Sequence, residues 1–141
     1  MIRFATEADI PAILDIYGPY ILNTAISFEY SVPTLESFTA RFRRITSHFP
    51  WLVWEEDGRI LGYAYASPPY TRDAYRWCAE PSVYLKPSAH RRGIGRKLYA
   101  ALEEIYGIPV TAENIPALDE AVKKAYADPQ YHLRLLTENC R

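Results

Sequence analysis

Ser82-Val83-Tyr84-Leu85, followed after Lys86-Pro87-Ser88-Ala89 by His90-Arg91-Arg92-Gly93-Ile94-Gly95-Arg96-Lys97-Leu98, is the stretch that decides the fold. A β-branched and aromatic run leads through a glycine loop into a segment with helical apolar spacing. Gly93 and Gly95 leave the backbone bare, so successive N–H groups can point at one ligand, and the positive end of the helix that follows favours a pyrophosphate there. No Lys-Ser or Lys-Thr pair follows these glycines, as a P-loop requires. Leu98 stands where a dinucleotide fingerprint needs a third Gly or Ala. The cations Arg91, Arg92, Arg96 and Lys97 also suit a solvated helix start, and the glycines among them are what favour a phosphate site.

What remains resembles the acetyl-CoA loop of the GNAT N-acetyltransferase superfamily, whose pattern is Gln/Arg-x-x-Gly-x-Gly/Ala. Here it runs from His90, in place of Gln or Arg, through Gly93 to Gly95. The similarity extends over residues 1–106 to the phosphinothricin acetyltransferase branch. It is carried by Arg3-Phe4-Ala5-Thr6 with Asp9-Ile10, Ser27-Phe28-Glu29-Tyr30, Leu61-Gly62-Tyr63-Ala64-Tyr65, and Ala74-Tyr75-Arg76-Trp77 ahead of Glu80. The resemblance implies an α+β (α/β) fold of the GNAT acyl-CoA N-acyltransferase kind, a mixed central sheet flanked by helices, with its C-terminal part truncated or replaced by helix. Residues 1–106 are expected to form the acetyltransferase core and residues 107–141 an atypical helical tail packed on the same domain.

Composition agrees with this without deciding it. With 141 residues, 49% of them hydrophobic, the chain suits one domain with its own core. A net charge of −1 argues against nucleic acid as a partner, and the basic cluster at the loop is too local to track a phosphate backbone. Cys78 and Cys140 are too few for a disulfide framework, and Met1-Ile2-Arg3 opens neither a signal peptide nor a membrane span. A cytoplasmic, reduced protein with no membrane partner is expected. His132 lacks spaced His, Cys or carboxylate partners in the sequence, so no metal is assigned.

The periodicities predict a strand over residues 2–5 and then a helix with Thr6 as N-cap and Asp9 placed as in a capping box. Ile10, Ile13, Leu14 and Tyr17 form the apolar stripe of that helix. A second helix is expected over residues 35–45, with Thr34 as N-cap and Phe38, Phe42 and Ile45 on one face. Residues 51–55 and 60–66 read as a hairpin through Asp57-Gly58. A loop over residues 68–73 leads to a strand over residues 77–85, and the glycine loop opens a helix burying Ile94, Leu98, Ala101, Leu102 and Ile105.

Beyond Ile105 the resemblance thins. In one reading the tail is a worn remnant, with Asn114-Ile115-Pro116-Ala117 where the family has Asn-x-Pro-Ser and Ala125-Tyr126 where it has Gly-Phe. In the other it is similar to the helical C-terminus of iron-containing alcohol dehydrogenases, through Gly107-Ile108-Pro109-Val110-Thr111, Asn114 to Leu118, and Arg134-Leu135-Leu136-Thr137-Glu138.

Acetyl transfer needs a rigidly held thioester, a deprotonated amine and a donor facing the carbonyl oxygen. The resemblance places the pantetheine arm of acetyl-CoA against backbone groups of Val83, Tyr84 and Leu85. It places the pyrophosphate on the amides of Arg91, Arg92, Gly93, Ile94, Gly95 and Arg96, and a backbone N–H near Val83 on the thioester oxygen. Glu80 matches the general base. A carboxylate is a weak base, so partial burial beside the aromatic strand is expected. The plain alternative is a solvent-exposed strand-end glutamate. Pro81, directly after it, removes an N–H and marks an edge or bulge. Arg72 and Tyr75 fall where the branch contacts the tetrahedral group of its substrate, and Phe28 and Tyr30 fall where they would wall the pocket or pack in the core. The expected activity is acetyl-CoA-dependent N-acetylation of a small amino-acid-like amine of the phosphinothricin, methionine sulfone or methionine sulfoximine type. A catalytically impaired CoA-binding relic, serving binding or assembly, is the alternative. An open sheet edge beside Leu85 implies a covering partner chain, hence a homodimer.

Overall fold

The structure is a computed structural model, and it describes residues 1–68 and 79–106. Strand β1 (Ile2–Phe4) is followed by α1 (Ile10–Asn23), α2 (Leu35–Thr46), β2 (Trp51–Glu56), β3 (Arg59–Ser67), β4 (Glu80–Leu85) and α3 (Ile94–Tyr106). The strands form one sheet in the order β1-β2-β3-β4, and every pairing among the described residues is antiparallel.

Strand alternation divides the core into two layers. Phe4, Leu52, Ala64, Val83 and Leu85 point to one face, where Ile94, Leu98, Ala101, Leu102 and Ile105 of α3 cover them. Trp51, Val53, Tyr63, Tyr65 and Tyr84 point to the other, against Ile10, Ile13 and Tyr17 of α1 and Phe38, Phe42 and Ile45 of α2. The stripe expected on α1 is thus met. Leu14 is half-buried, while Ile16 and Ile21 are fully covered as well, because the helix lies in the angle between sheet and α2.

The local signals act as read. The Thr34 hydroxyl accepts from the Ser37 amide at 3.2 Å and so caps α2. The Asp9 carboxylate accepts from the Thr6 amide at 2.8 Å and the Thr6 hydroxyl at 3.1 Å, but one short 3-10 turn, Glu7–Asp9, separates Thr6 from α1. Asp57 and Gly58, with φ of 49° and 72°, make the left-handed turn of the β2–β3 hairpin. A register shift between Trp54 and Glu55 then turns Ile60 onto the α1–α2 face.

The strand expected over residues 77–85 begins at Glu80; Ala79 lies outside it, and residues 77 and 78 lie outside the described residues. The expected helix over residues 107–141 also lies outside them.

Candidate active site

The phase of the β3–β4 ladder decides what β4 offers at its outer edge. The Lys86 amide donates to the Leu61 carbonyl at 2.8 Å, and Tyr63 stands opposite Tyr84. In an antiparallel pair, bonded and non-bonded positions alternate, so Tyr84, Ser82 and Glu80 bond to β3, whereas Pro81, Val83 and Leu85 turn their backbone groups outward. The Ala66 amide, which donates to Pro50 on the β2 side at 3.2 Å, fixes the same phase independently. Pro81 therefore costs the ladder nothing, since its missing N–H falls at an outward position. Tyr84, expected to offer backbone groups to a ligand, spends them on Tyr63 instead. Val83 and Leu85 carry the outward groups.

β4 runs into the glycine loop through a 3-10 turn, Pro87–Ala89, and the loop ends in the first turn of α3. The Lys97 amide bonds the Gly93 carbonyl at 3.1 Å, which makes Gly93 the N-cap and leaves the Ile94, Gly95 and Arg96 amides at the positive end of the helix without helical acceptors. Gly93 sits at φ 76° with open space where a Cβ would be. Gly95 works differently. A Cβ there would meet Leu85 Cδ1 at 3.5 Å and Val83 Cγ1 at 3.9 Å, so its bare side faces β4 and lets the helix start sit close to the strand. Gly62 serves the same seam, because a Cβ on it would lie 2.2 Å from Leu85 Cδ2.

The loop cations divide by partner. The Arg92 guanidinium donates to both Glu56 oxygens, at 2.9 and 2.7 Å, and Glu56 also accepts from Trp54 Nε1 at 2.9 Å. Lys97 Nζ lies 5.3 Å from the centre of the Trp54 ring. Arg92 is thus tied to the β2–β3 hairpin, while Arg91 and Arg96 are exposed.

Glu80 opens β4 opposite Ser67, on the same sheet face as Ser82 and Tyr84. It is exposed, so the partial burial expected of it is not met. The aromatic floor on that face is well ordered in packing terms: Tyr65 stacks on Trp51 at 4.2 Å, Tyr63 on Tyr84 at 5.3 Å, and Tyr17 meets Tyr84 edge-on at 5.1 Å. Burial, reinforced by a hydrogen bond to Glu29, pushes the Tyr17 hydroxyl up to about 12, so it remains a donor at neutral pH. It donates to Glu29 at 2.5 Å, and Arg41 holds both oxygens of that carboxylate. The Arg41 hydrogen bonds therefore keep Glu29 below the usual carboxylate range.

That anchoring orders the α1–α2 connection. Ser27 and Glu29 face inward to Tyr17, and the alternate residues Phe28 and Tyr30 are 98% and 101% exposed. The core-packing alternative for these two aromatics is overturned. Arg72 and Tyr75, expected to contact substrate, lie outside the described residues. Among the described residues no cluster of His, Cys, Asp or Glu is placed to hold a metal, and no helix is long and apolar enough to cross a membrane.

Among the described residues, an antiparallel sheet leads from β4 through a glycine loop into a helix, and the comparison with known families assigns the class. The chain belongs to the family described as the acetyltransferase (GNAT) domain, whose profile matches residues 2–117. The match reaches past α3 through Asn114-Ile115-Pro116-Ala117. Among individual proteins, the chain is similar to phosphinothricin N-acetyltransferase of Streptomyces viridochromogenes, 38% identical over 101 residues that cover 72% of this chain and 55% of the relative. It is also similar to L-amino acid N-acyltransferase MnaT of Escherichia coli, 37% identical over 102 residues covering 72% of this chain and 59% of that one. The crystal structure of a phosphinothricin acetyltransferase from Sinorhizobium meliloti in complex with AcCoA superposes with a TM-score of 0.69 at 38% identity, covering 72% of this chain and 56% of the other. The chain thus spans a little over half the length of these relatives.

Sequence reasoning placed the strand and the glycine loop in order but did not read the long-range ties of Tyr20 and Glu56. Tyr20 donates from α1 to the Leu85 carbonyl at 2.6 Å across 65 positions of sequence, and Glu56 holds Arg92 across 36. No periodicity joins residues that far apart; only the hairpin turn at Asp57-Gly58 hinted that Glu56 would lie at a tip.

Proposed function

We propose that the chain is an acetyl-CoA-dependent N-acetyltransferase acting on the amine of a small amino-acid-like acceptor, of the phosphinothricin, methionine sulfone or methionine sulfoximine type. One observation carries the reading: the outward backbone of Val83 and Leu85 leads through the glycine loop to a helix start whose first amides, beyond Gly93, lack helical acceptors. A strand-like amide arm fits the first and a pyrophosphate the second, which are the two ends of the CoA chain.

Bound there, the thioester supplies an activated acetyl group. Val83 and Leu85 hold the arm by main-chain pairing, with Tyr84 fixing the strand from its inner side. The Ile94, Gly95 and Arg96 amides, with the turn of Arg91, Arg92 and Gly93, hold the phosphates. Pro81 has no N–H to give, so Val83 is the first outward donor after Glu80 and is assigned to the negative charge that builds on the carbonyl oxygen. The Glu80 carboxylate accepts the proton of the acceptor ammonium, and its exposure gives it a direct water route for that proton. Arg72 suits an oxyanion of the acceptor through its two parallel donors, and Tyr75 follows three positions on in the sequence. The acceptor class is supported by the names of the relatives, which include L-methionine sulfoximine/L-methionine sulfone acetyltransferase of Salmonella typhimurium, 36% identical over 102 residues.

The exposed Glu80 also favours a second reading, a CoA-binding module without turnover. A homodimer is proposed for either, supported by the exposed Phe28 and Tyr30. A cytoplasmic setting is proposed as well, supported by the small-molecule chemistry of the relatives.

The test is a calorimetric titration with acetyl-CoA followed by thiol release with methionine sulfone and phosphinothricin as acceptors. Acceptor-dependent release supports the enzyme. Binding without release selects the module, and absence of binding overturns both.

A further inference from the structure

We propose that Tyr20 is a positioning residue for the cofactor site, joining the outer edge of β4 and the start of the glycine loop to helix α1 through one hydroxyl. The inference rests on the acetyl-CoA reading above and deepens it.

Tyr20 Oη lies 2.6 Å from the Leu85 carbonyl oxygen and 3.0 Å from His90 Nε2. A phenol has one hydrogen, and a carbonyl can only accept, so that hydrogen goes to Leu85. His90 Nε2 must then be the donor to Tyr20 Oη, which fixes the histidine as the tautomer protonated at Nε2. The imidazolium also donates from Nε2, so the tie survives protonation of the ring. The Tyr20 ring is itself set by an edge contact with Tyr84, centroids 5.3 Å apart.

Two consequences follow for the edge. Leu85 turns its carbonyl outward by the ladder phase, and Tyr20 occupies it. An arm lying along β4 can therefore bond to both groups of Val83 and to the Leu85 N–H, and at the Leu85 carbonyl it shares the oxygen with the Tyr20 hydroxyl. Tyr20 thus fixes the outward Leu85 carbonyl at the point where β4 hands over to the loop. His90, at the other end of the same relay, opens the segment Arg91–Gly93 whose positive φ values turn the chain into α3. The spacing between strand edge and helix start is held from a third element rather than by the loop alone.

The experiment compares CoA binding by calorimetry in the parent chain and in Tyr20→Phe, His90→Ala and His90→Gln. Tyr20→Phe keeps the ring packing and removes only the hydroxyl, and it is expected to weaken CoA binding about tenfold, the worth of one directed hydrogen bond with its partners left unpaired. His90→Ala is expected to weaken binding in the same direction, and His90→Gln, whose side-chain amide can donate to Tyr20, to restore it. Nitrogen-15 shifts of the His90 ring should report the Nε2–H tautomer in the parent and a changed Nε2 environment in Tyr20→Phe. Exposed His90 keeps the test independent of the core should Tyr20→Phe fold poorly. Parental CoA affinity in both Tyr20→Phe and His90→Ala overturns this inference and leaves the cofactor site standing. A parent chain that binds no CoA overturns the cofactor reading and this inference with it.

Discussion

Arg91 and Gly93 both turn left-handed, at φ 61° and 76°, two positions apart in the loop that leads into α3. Glycine accepts that conformation freely, and a side chain pays roughly 1–2 kcal/mol for it. Since nothing lies within 4 Å of the Cβ position of Gly93, Gly93→Ala tests the dihedral alone. The variant should lose about 1 kcal/mol of stability in denaturant titration and bind CoA more weakly as the amides turn away; parental values for both would show that the loop does not need the turn. Glu80 is exposed and shapes no part of the core, so Glu80→Gln should retain CoA affinity and melting temperature while kcat at neutral pH falls by about 10²–10⁴, the usual worth of a general base. A parental rate would make Glu80 a strand-end residue without a chemical role. Gly93 stood out in the sequence by its spacing from Gly95, and Glu80 was named from the family resemblance. The exposure of Glu80 was not, because it depends on what the neighbouring elements leave uncovered.

Elements are where local pattern reads best. Helix α2 was expected over residues 35–45 and spans Leu35–Thr46, since its cap, its apolar face and its flanking prolines all agree. The β4 start was less legible: the expected strand ran through Ala79, yet Ala79 lies outside it and β4 opens at Glu80, one residue before a proline suited to an outward position. Long-range ties are invisible at this scale, and the Arg3 junction is one of them. Arg3 in β1 holds the Asp9 carboxylate through two hydrogen bonds, at 2.8 and 2.7 Å, and reaches Glu55 in β2 at 2.6 Å. Burial opposes ionisation of Asp9, but the hydrogen bonds from Arg3 and Thr6 outweigh it and hold its carboxyl below the usual range. A depressed folded-state pKa means stability that is fully present above the unfolded value, near 4, and is lost as pH falls through the folded value. Asp9→Asn should therefore cost about 2 kcal/mol at pH 7 and flatten the fall in melting temperature below pH 4. An unchanged acid limb in that variant would assign the pH dependence to other carboxylates.

At the scale of the whole molecule, two layers of core hold a four-stranded sheet between α1–α2 on one side and α3 on the other, and β4 ends the sheet among the described residues. The class of fold was legible through the family resemblance carried by the loop from His90 to Gly95 and the separated motifs before it. The ties around the site were not, because Tyr20 meets Leu85, and Glu56 meets Arg92, only once the sheet and helices have packed. The central claim is that the β4 edge and the α3 start form one CoA site. It is tested most directly by titrating CoA into nitrogen-15-labelled protein and following the backbone amides. The account predicts saturable shifts at Val83, Leu85, Ile94, Gly95 and Arg96, with the inward-facing amides of Ser82 and Tyr84 much less affected. No shifts at saturating CoA, or shifts confined to residues away from β4 and the loop, would contradict it.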